Sequence, residues 1–203
     1  MKKYWENYYK FSKSPIKPTK FSIFCKKYLK SFKGILYDVG CGNGRDTIYF
    51  NKLKIKSLGV DLSKSIIKKN KKKFKIIKDN FLHEDFSKLN FVNKKKDIAI
   101  YSRFSLHSIN HKKQKIFFNK MKKIKNIKIL MIEVRTVYDE LYGKGKKISK
   151  FEYFDTHYRR FLIPSDLKKT ISKVFKIKYF KVSKNFAIYK KENPKVLRLI
   201  ALR

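Results

Sequence analysis

Carboxylates are scarce in this chain: 15 Asp and Glu stand against 54 Lys and Arg over 203 residues, a formal charge of +39. Glycine (seven), proline (four), cysteine (two) and tryptophan (one) are also sparse. Two cysteines, Cys25 and Cys41, are too few for a disulfide framework and lack zinc-ligand spacing, so both are expected as free thiols and no metal site is expected. No apolar run nears the roughly 20 residues that cross a bilayer. The opening "MKKYWENYYK" turns polar and aromatic where a signal peptide would turn apolar, which points to a cytoplasmic protein.

An excess of this size attracts polyanions and makes RNA a partner to weigh. Lysine, however, supplies 47 of the 54 basic residues, spread along the whole chain. Abundant Lys, Asn, Ile, Phe and Tyr is also what an AT-rich coding sequence produces. Against that background the scarce types carry the information. Asp38, Asp46, Asp61, Asp85 and Asp97 fall at or beside expected strand ends, and Arg103, Arg135, Arg159 and Arg160 fall in expected loops.

The length suits one domain over residues 1–203. Residues 1–17 read as an aromatic arm ended by "SPIKP". Residues 19–32 have helical spacing. Strands and helices then alternate: "ILYDV" (35–39), "SLGVDL" (57–62), a Ser-capped helix over 63–74, a weak strand over 80–86, "DIAIYS" (97–102), a helix over 111–124 and "ILMIEV" (129–134). Such alternation predicts an α/β, Rossmann-like fold, a mostly parallel seven-stranded sheet with helices on both faces. Residues 135–162 break the rhythm and read as an insertion that shapes an acceptor pocket. After a helix over 164–175, "FKIKYFKV" and "KVLRLIAL" are close enough to pair antiparallel at the sheet edge.

"YDVGCGNGRD" puts Gly40, Gly42 and Gly44 in the turn after the first strand, where bare backbone approaches a ligand. Arg45 stands where a dinucleotide fingerprint needs its last glycine, so no pyrophosphate site is expected. Asp61 ends the next strand 21 residues after Gly40, placed to accept from two ribose hydroxyls.

At these residues the chain resembles the class I S-adenosylmethionine-dependent methyltransferases, through "DVGCGNGRD", "GVDLS", "HEDF" and "DIAIYSRFSLHSI". The resemblance implies that Asp38, Gly40, Gly42, Asn43, Gly44, Arg45 and Asp46 hold the methionine end. It further implies Asp61 and Leu62 at the ribose, Asp85 and Phe86 at the adenine, and Ser102, Arg103 and Phe104 along the sulfonium. For Asp46 a helix start alone is a sufficient reason, since the dipole favours an acid there.

Guanidinium groups grip carboxylate and phosphate two oxygens at a time, so Arg103, Arg135, Arg159 and Arg160 suggest a small anionic acceptor. His107 and His157 are candidate bases, and Tyr158 a candidate orienting group. Tyr8 in the arm is a candidate acceptor contact, and the arm serves either as a lid or as a clamp on the sheet. The segments "YSRFSLHSI", "EVRTVYDELYGKG", "DTHYRRF" and "NPKVLRLIALR" also resemble bacterial small-molecule methyltransferases of surface-polysaccharide and capsule modification, some acting on phosphoramidate-type precursors, with oxygen as the methylated atom. The alternatives are an RNA methyltransferase, which lacks a [DN]-P-P-[YFW] tetrapeptide and a suitably placed cysteine here, and a non-catalytic cofactor-binding scaffold.

Overall fold

The structure is a computed structural model that describes residues 2–11, 15–91, 96–189 and 192–203. Two compact units divide the chain, Met1–Tyr101 and Ser102–Arg203. One seven-stranded sheet runs in the order β3-β2-β1-β4-β5-β10-β9.

In the first unit, β1 (Ile35–Val39) is buried at every position. It lies parallel to β2 (Ser57–Asp61) on one side and to β4 (Ile98–Arg103) on the other. A strand covered this way has no solvent face, which is why "ILYDV" is a continuous apolar run interrupted only by Asp38. Parallel to β2 lies β3 (Phe81–His83), shorter than the sequence suggested. The chain order reverses between β1 and β4, and the glycine turn leaves β1 at that point, where ligands of open α/β sheets bind.

Helices α3 (Arg45–Lys52) and α4 (Lys64–Lys73) follow β1 and β2. The side chain of Ser63 caps α4 by accepting from Ile66 N–H, and the helix buries Ile66, Ile67 and Asn70 while its lysines stay in water. Helix α2 (Lys20–Cys25) gives way to a 3-10 turn at Lys26–Tyr28, so the helix expected over 19–32 is shorter and tighter at its end. Within the arm expected over 1–17, residues 2–11 form α1; Met1 and residues 12–14 lie outside the described residues. Cys25 and Cys41 are buried and free.

Asp46 determines how α2 joins this unit. Its carboxylate accepts from Thr19 N–H (2.8 Å), Thr19 Oγ1 (2.8 Å), Ser22 Oγ (2.8 Å) and Tyr101 Oη (2.7 Å). Every one of these groups is buried.

In the second unit, β10 (Val196–Leu202) pairs antiparallel with both β5 (Ile127–Arg135) and β9 (Lys176–Ser183). The edge strand β9 carries exposed Lys176, Lys178 and Lys181, charges that discourage a further strand from pairing there. Helix α5 (His111–Lys123) starts on Asn110, whose side chain accepts from Lys113 N–H, and α6 (Pro164–Ser172) starts with Pro164 in its first turn. The stretch read as an insertion contains a three-stranded antiparallel sheet: β6 (Lys146–Ser149), β7 (Glu152–Phe154) and β8 (Tyr158–Arg160). No helix among the described residues is long and apolar enough to cross a membrane.

Asp46→Ala would leave buried donors without an acceptor, and Asp46→Asn would turn an amide against one of them. Each variant should lose about 3 kcal/mol, since an unsatisfied buried donor costs roughly 1–3 kcal/mol. Urea unfolding monitored by circular dichroism would measure this; an unchanged midpoint would remove Asp46 as the anchor of α2.

Candidate functional site

In the first unit the glycine turn brings the sequence-predicted acids together. Gly42 and Gly44 have φ of 52° and 74°, left-handed backbone that disfavours any side chain. A Cβ at residue 44 would also collide with the Phe81 ring. The Gly42 N–H donates to Asp61 Oδ2 (2.9 Å), and Ser63 N–H donates to Oδ1 (2.9 Å). Asp38 accepts from Thr47 Oγ1 (2.7 Å). Asn43 is turned outward from this ring of acids, donating to Pro15 O (2.7 Å).

Asp38 and Asp61 are buried, and among the described residues no salt bridge reaches either of them. Burial, reinforced by the charges of Asp46 and Asp61, pushes the Asp38 carboxyl up to about 8. Burial also raises Asp61, although the N–H groups of Ser63 and Gly42 pull it back. In a chain of +39, this unit thus buries two acids beside its glycine turn with no salt-bridge partner among the described residues.

Asp85 closes a turn of its own, accepting from Ser87 N–H (3.0 Å) and Ser87 Oγ (2.6 Å). That turn sits at the end of β2, because Glu84 N–H donates to Asp61 O and the His83 ring meets Leu62 O. Phe86 is buried beside it in sequence. Asp46 is separated from the others by role, its carboxylate being occupied by the donors from α2 and Tyr101.

The arm covers the turn through Tyr9, one of the aromatic residues of the expected lid or clamp. The Tyr9 hydroxyl lies where a Cβ on Gly42 would fall, and its ring packs on the cluster of Cys41, Ile66, Ile67 and Phe81. Burial and the nearby Asp61 raise its phenol well above the usual range. Two contacts fasten α1 to α4. Glu6 accepts from the N–H groups of Lys64 (2.6 Å) and Ser65 (3.1 Å), and the Lys69 ammonium donates to Tyr9 O (2.5 Å) and Lys10 O (3.2 Å). Each contact satisfies a helix end, an acid at the positive end of α4 and a lysine at the negative end of α1. Tyr8 stacks within the aromatic group of Tyr4, Trp5 and Tyr9.

In the second unit Phe104, the residue after β4, has a φ of 55°, a strained backbone for a residue with a side chain. Its ring carries the Arg103 guanidinium at 4.4 Å, the Arg135 guanidinium at 5.7 Å and the His107 ring at 5.3 Å. Ser102 Oγ meets Ser105 Oγ at 2.7 Å, which shapes the turn leading to His107. His107 lies in a 3-10 turn, Leu106–Ser108, against which β8 packs.

Two polar atoms here are buried with no hydrogen-bond partner, His107 Nδ1 and Tyr158 Oη. Burial drives the His107 imidazole well below its ordinary range, and Arg135, His157, Arg159 and Arg103 add to the effect. Burial and Arg159 hold His157 at about 4. Both rings are therefore neutral near pH 7, as a base must be before it accepts a proton. The Tyr158 hydroxyl faces Glu152 without reaching hydrogen-bond geometry, and burial with that carboxylate raises its phenol.

Each predicted acceptor arginine has a carboxylate neighbour. Arg103 Nε (2.9 Å) and Arg198 Nε (2.6 Å) share buried Glu133. Arg135 pairs with Asp139 and Glu192. Arg159 stands 3.8 Å from Asp155. Arg160 donates to Gln114 Oε1 (3.0 Å) and Glu152 (3.4 Å), tying β8 to α5. The sequence missed Glu192 and Arg198; their signal was the rarity of acids and arginines, followed there only part of the way. Among the described residues no group of three or more His, Cys, Asp or Glu is placed to hold a metal ion.

Residues 36–126 match the family described as "Methyltransferase domain". No curated protein matches the chain. Among solved structures, the chain is similar to an S-adenosylmethionine-dependent methyltransferase from Clostridium acetobutylicum, at 17% identity and TM-score 0.69, over 98% of this chain and 97% of that one. It is similar also to a SAM-dependent methyltransferase from Methanosarcina mazei, at 16% identity and TM-score 0.71, over 89% and 96%. The glycopeptide N-methyltransferase MtfA, complexed with S-adenosyl-L-homocysteine, matches at 13% identity and TM-score 0.66, over 92% and 90%. At such identities the likeness is one of fold. With the strand order, it gives the chain the Rossmann-like fold of such methyltransferases, and the domain match covers less than half of the chain.

The raised Asp38 makes a pH prediction. Its folded value of about 8 exceeds the roughly 3.9 of an unfolded aspartate, so between these values the folded state holds the extra proton. The stabilisation is complete below pH about 4 and is lost as pH rises to about 8. Urea midpoints of wild type and Asp38→Asn, compared from pH 5 to 8, should shift steadily in favour of the variant. A constant difference would mean that Asp38 is ionised throughout.

Proposed function

We propose that this chain is a class I, S-adenosylmethionine-dependent methyltransferase that methylates a hydroxyl oxygen on a small anionic acceptor, with the cofactor held by Asp38, the glycine turn and Asp61. The cofactor fits the first unit on charge. S-adenosylmethionine carries a sulfonium and an ammonium, and among the described residues no salt bridge reaches buried Asp38 or Asp61. Lysines from a phosphate cradle would repel such a ligand, whereas two carboxylates attract it. By the same reading Asp61 and Leu62 bind the ribose, and Asp85 and Phe86 the adenine.

The cofactor supplies a methyl group already activated on a positive sulfur. What remains for the chain is to align the acceptor and, for a hydroxyl, to take its proton. The observation that carries this reading is the pair of unsatisfied buried atoms, His107 Nδ1 and Tyr158 Oη. An acceptor hydroxyl would supply what such atoms need, by donating to an imidazole nitrogen and accepting from a phenol. Arg103, Arg135 and Arg159 all act on His107, which favours an acceptor with negative charge. The resemblance to enzymes of surface-polysaccharide modification agrees with such an acceptor.

Incubation with methyl-labelled cofactor and a fractionated cell extract tests the proposal. Label is expected in the anionic low-mass fraction, in an alkali-stable methyl ether, and label confined to RNA would contradict it. His107→Gln should lower turnover about 100-fold or more, the usual scale for a general base, with cofactor affinity retained. Asp61→Ala should weaken cofactor binding by about 1.5–3 kcal/mol, the scale of hydrogen bonds to a charged group. Calorimetry showing unchanged affinity would exclude Asp61 from the site.

A further inference from the structure

The carboxylates that face arginine in the second unit fall into two kinds. Glu133, Asp139 and Glu152 are buried, whereas Asp155 and Glu192 are largely in water. Arg135 has one partner of each kind. Its Nη1 donates to both oxygens of Asp139 (3.0 and 3.2 Å), and its Nη2 donates to Glu192.

The two partners differ in how readily they can be replaced. The Asp139 side chain is 0% exposed and also accepts from Leu141 N–H (3.1 Å) and Lys195 N–H (2.9 Å), so removing it would strand several donors. The Glu192 side chain is 60% exposed and returns to water at little cost, while the Arg135 side chain is 8% exposed and needs an oxyanion. Tyr189 and Glu192 exchange backbone hydrogen bonds (3.0 and 2.9 Å), so the Glu192 carboxylate can swing away while its backbone stays in place.

Arg135 stands beside the unsatisfied atoms rather than at a remote surface. Its guanidinium lies over the Phe104 ring, which the His107 ring also touches, and its charge acts on both His107 and His157. We infer that Glu192 is a placeholder counterion, and that an oxyanion on the acceptor, carboxylate or phosphate, displaces it from Arg135. This rests on the reading that the second unit binds an anionic acceptor, and it deepens that reading. The acceptor then carries both an oxyanion for Arg135 and a hydroxyl for His107. Specificity follows from exchange: a neutral analogue cannot take over the guanidinium, so it would leave Glu192 in place or strand the arginine. The anion also offsets the field of Arg135, Arg159, Arg103 and His157 on His107, raising the proton affinity of the base when the acceptor is present.

The test uses the full-length protein and two probes, inorganic phosphate and malonate, titrated at constant ionic strength while the four histidine rings are followed by NMR. His83 and His111 serve as internal references. Saturable shifts are expected at His107 and His157, with their titration midpoints moving up as either probe binds. In Glu192→Gln the binding should tighten roughly fivefold to tenfold, because removing an internal competitor raises the competent fraction. Arg135→Gln should abolish the shifts in both backgrounds. Whichever probe gains more from Glu192→Gln indicates the anion type. Equal or weaker binding in Glu192→Gln, or loss of its native histidine spectrum, would overturn the placeholder role and make Glu192 a structural clamp. If no variant binds either probe while label still enters anionic small molecules, the placeholder alone is wrong; label confined to RNA would instead remove the acceptor reading beneath it.

Discussion

Uncompensated carboxylate in the interior is the constraint around which this protein is arranged. A chain with 15 acids and 54 basic residues has cations to spare, yet among the described residues none forms a salt bridge with Asp38 or Asp61. Lysine, the abundant cation, keeps its ammonium in water because a compact, strongly hydrated charge is costly to bury. The second unit solves its own interior differently, with arginine. Glu133 between Arg103 and Arg198 is the clearest case, burial raising its carboxyl and the two guanidinium groups drawing it down again. One unit thus balances buried acids from within, and the other buries Asp38 and Asp61 with no salt-bridge partner among the described residues.

The same economy explains why rare residues stand at structurally decisive points. Asp46 gathers Thr19, Ser22 and Tyr101; Glu6 joins α1 to α4; Glu152 receives both the His111 N–H at the start of α5 (3.1 Å) and Arg160. In a sequence whose drift favours lysine, an acid that persists in the interior has a specific set of donors around it. The left-handed backbone at Phe104 belongs to the same pattern of local strain held by surrounding contacts, with its ring shared among Arg103, Arg135 and His107.

Much of the fold could be read along the chain because its strands are local and apolar. "ILYDV" and "ILMIEV" declare themselves as buried strands, and the short separation of the last two strands predicts their antiparallel pairing. The glycine turn and Asp61 were legible as well, since their spacing is fixed by one strand-turn-helix unit. The three-stranded sheet was not: "KKIS", "EYF" and "YRR" are short, charged and without alternation, and they pair through backbone bonds that leave no periodic trace. Asp46 could be read equally as a ligand contact or a helix-start acid, and neither anticipates donors that arrive from residues 24 to 27 positions earlier. That Tyr9 is the arm residue over the glycine turn has a similar origin, because the rotation of an amphipathic aromatic helix is set by what it packs on. Pairing of Arg135 with Glu192 depends on residues 57 apart, a separation that local pattern does not reach.

The central claim, that a cationic cofactor completes an interior left negative by the protein, has a direct measurement. S-adenosylmethionine can be titrated into the wild-type enzyme by calorimetry at pH 7 to 7.5, in two buffers of different ionisation enthalpy. Asp38, held up to about 8 by burial, carries its proton under these conditions in the free protein, and a bound cation should drive it off. The account predicts net proton release on binding, diminished in Asp38→Asn. Binding without proton exchange, or with the same release in the variant, would contradict it.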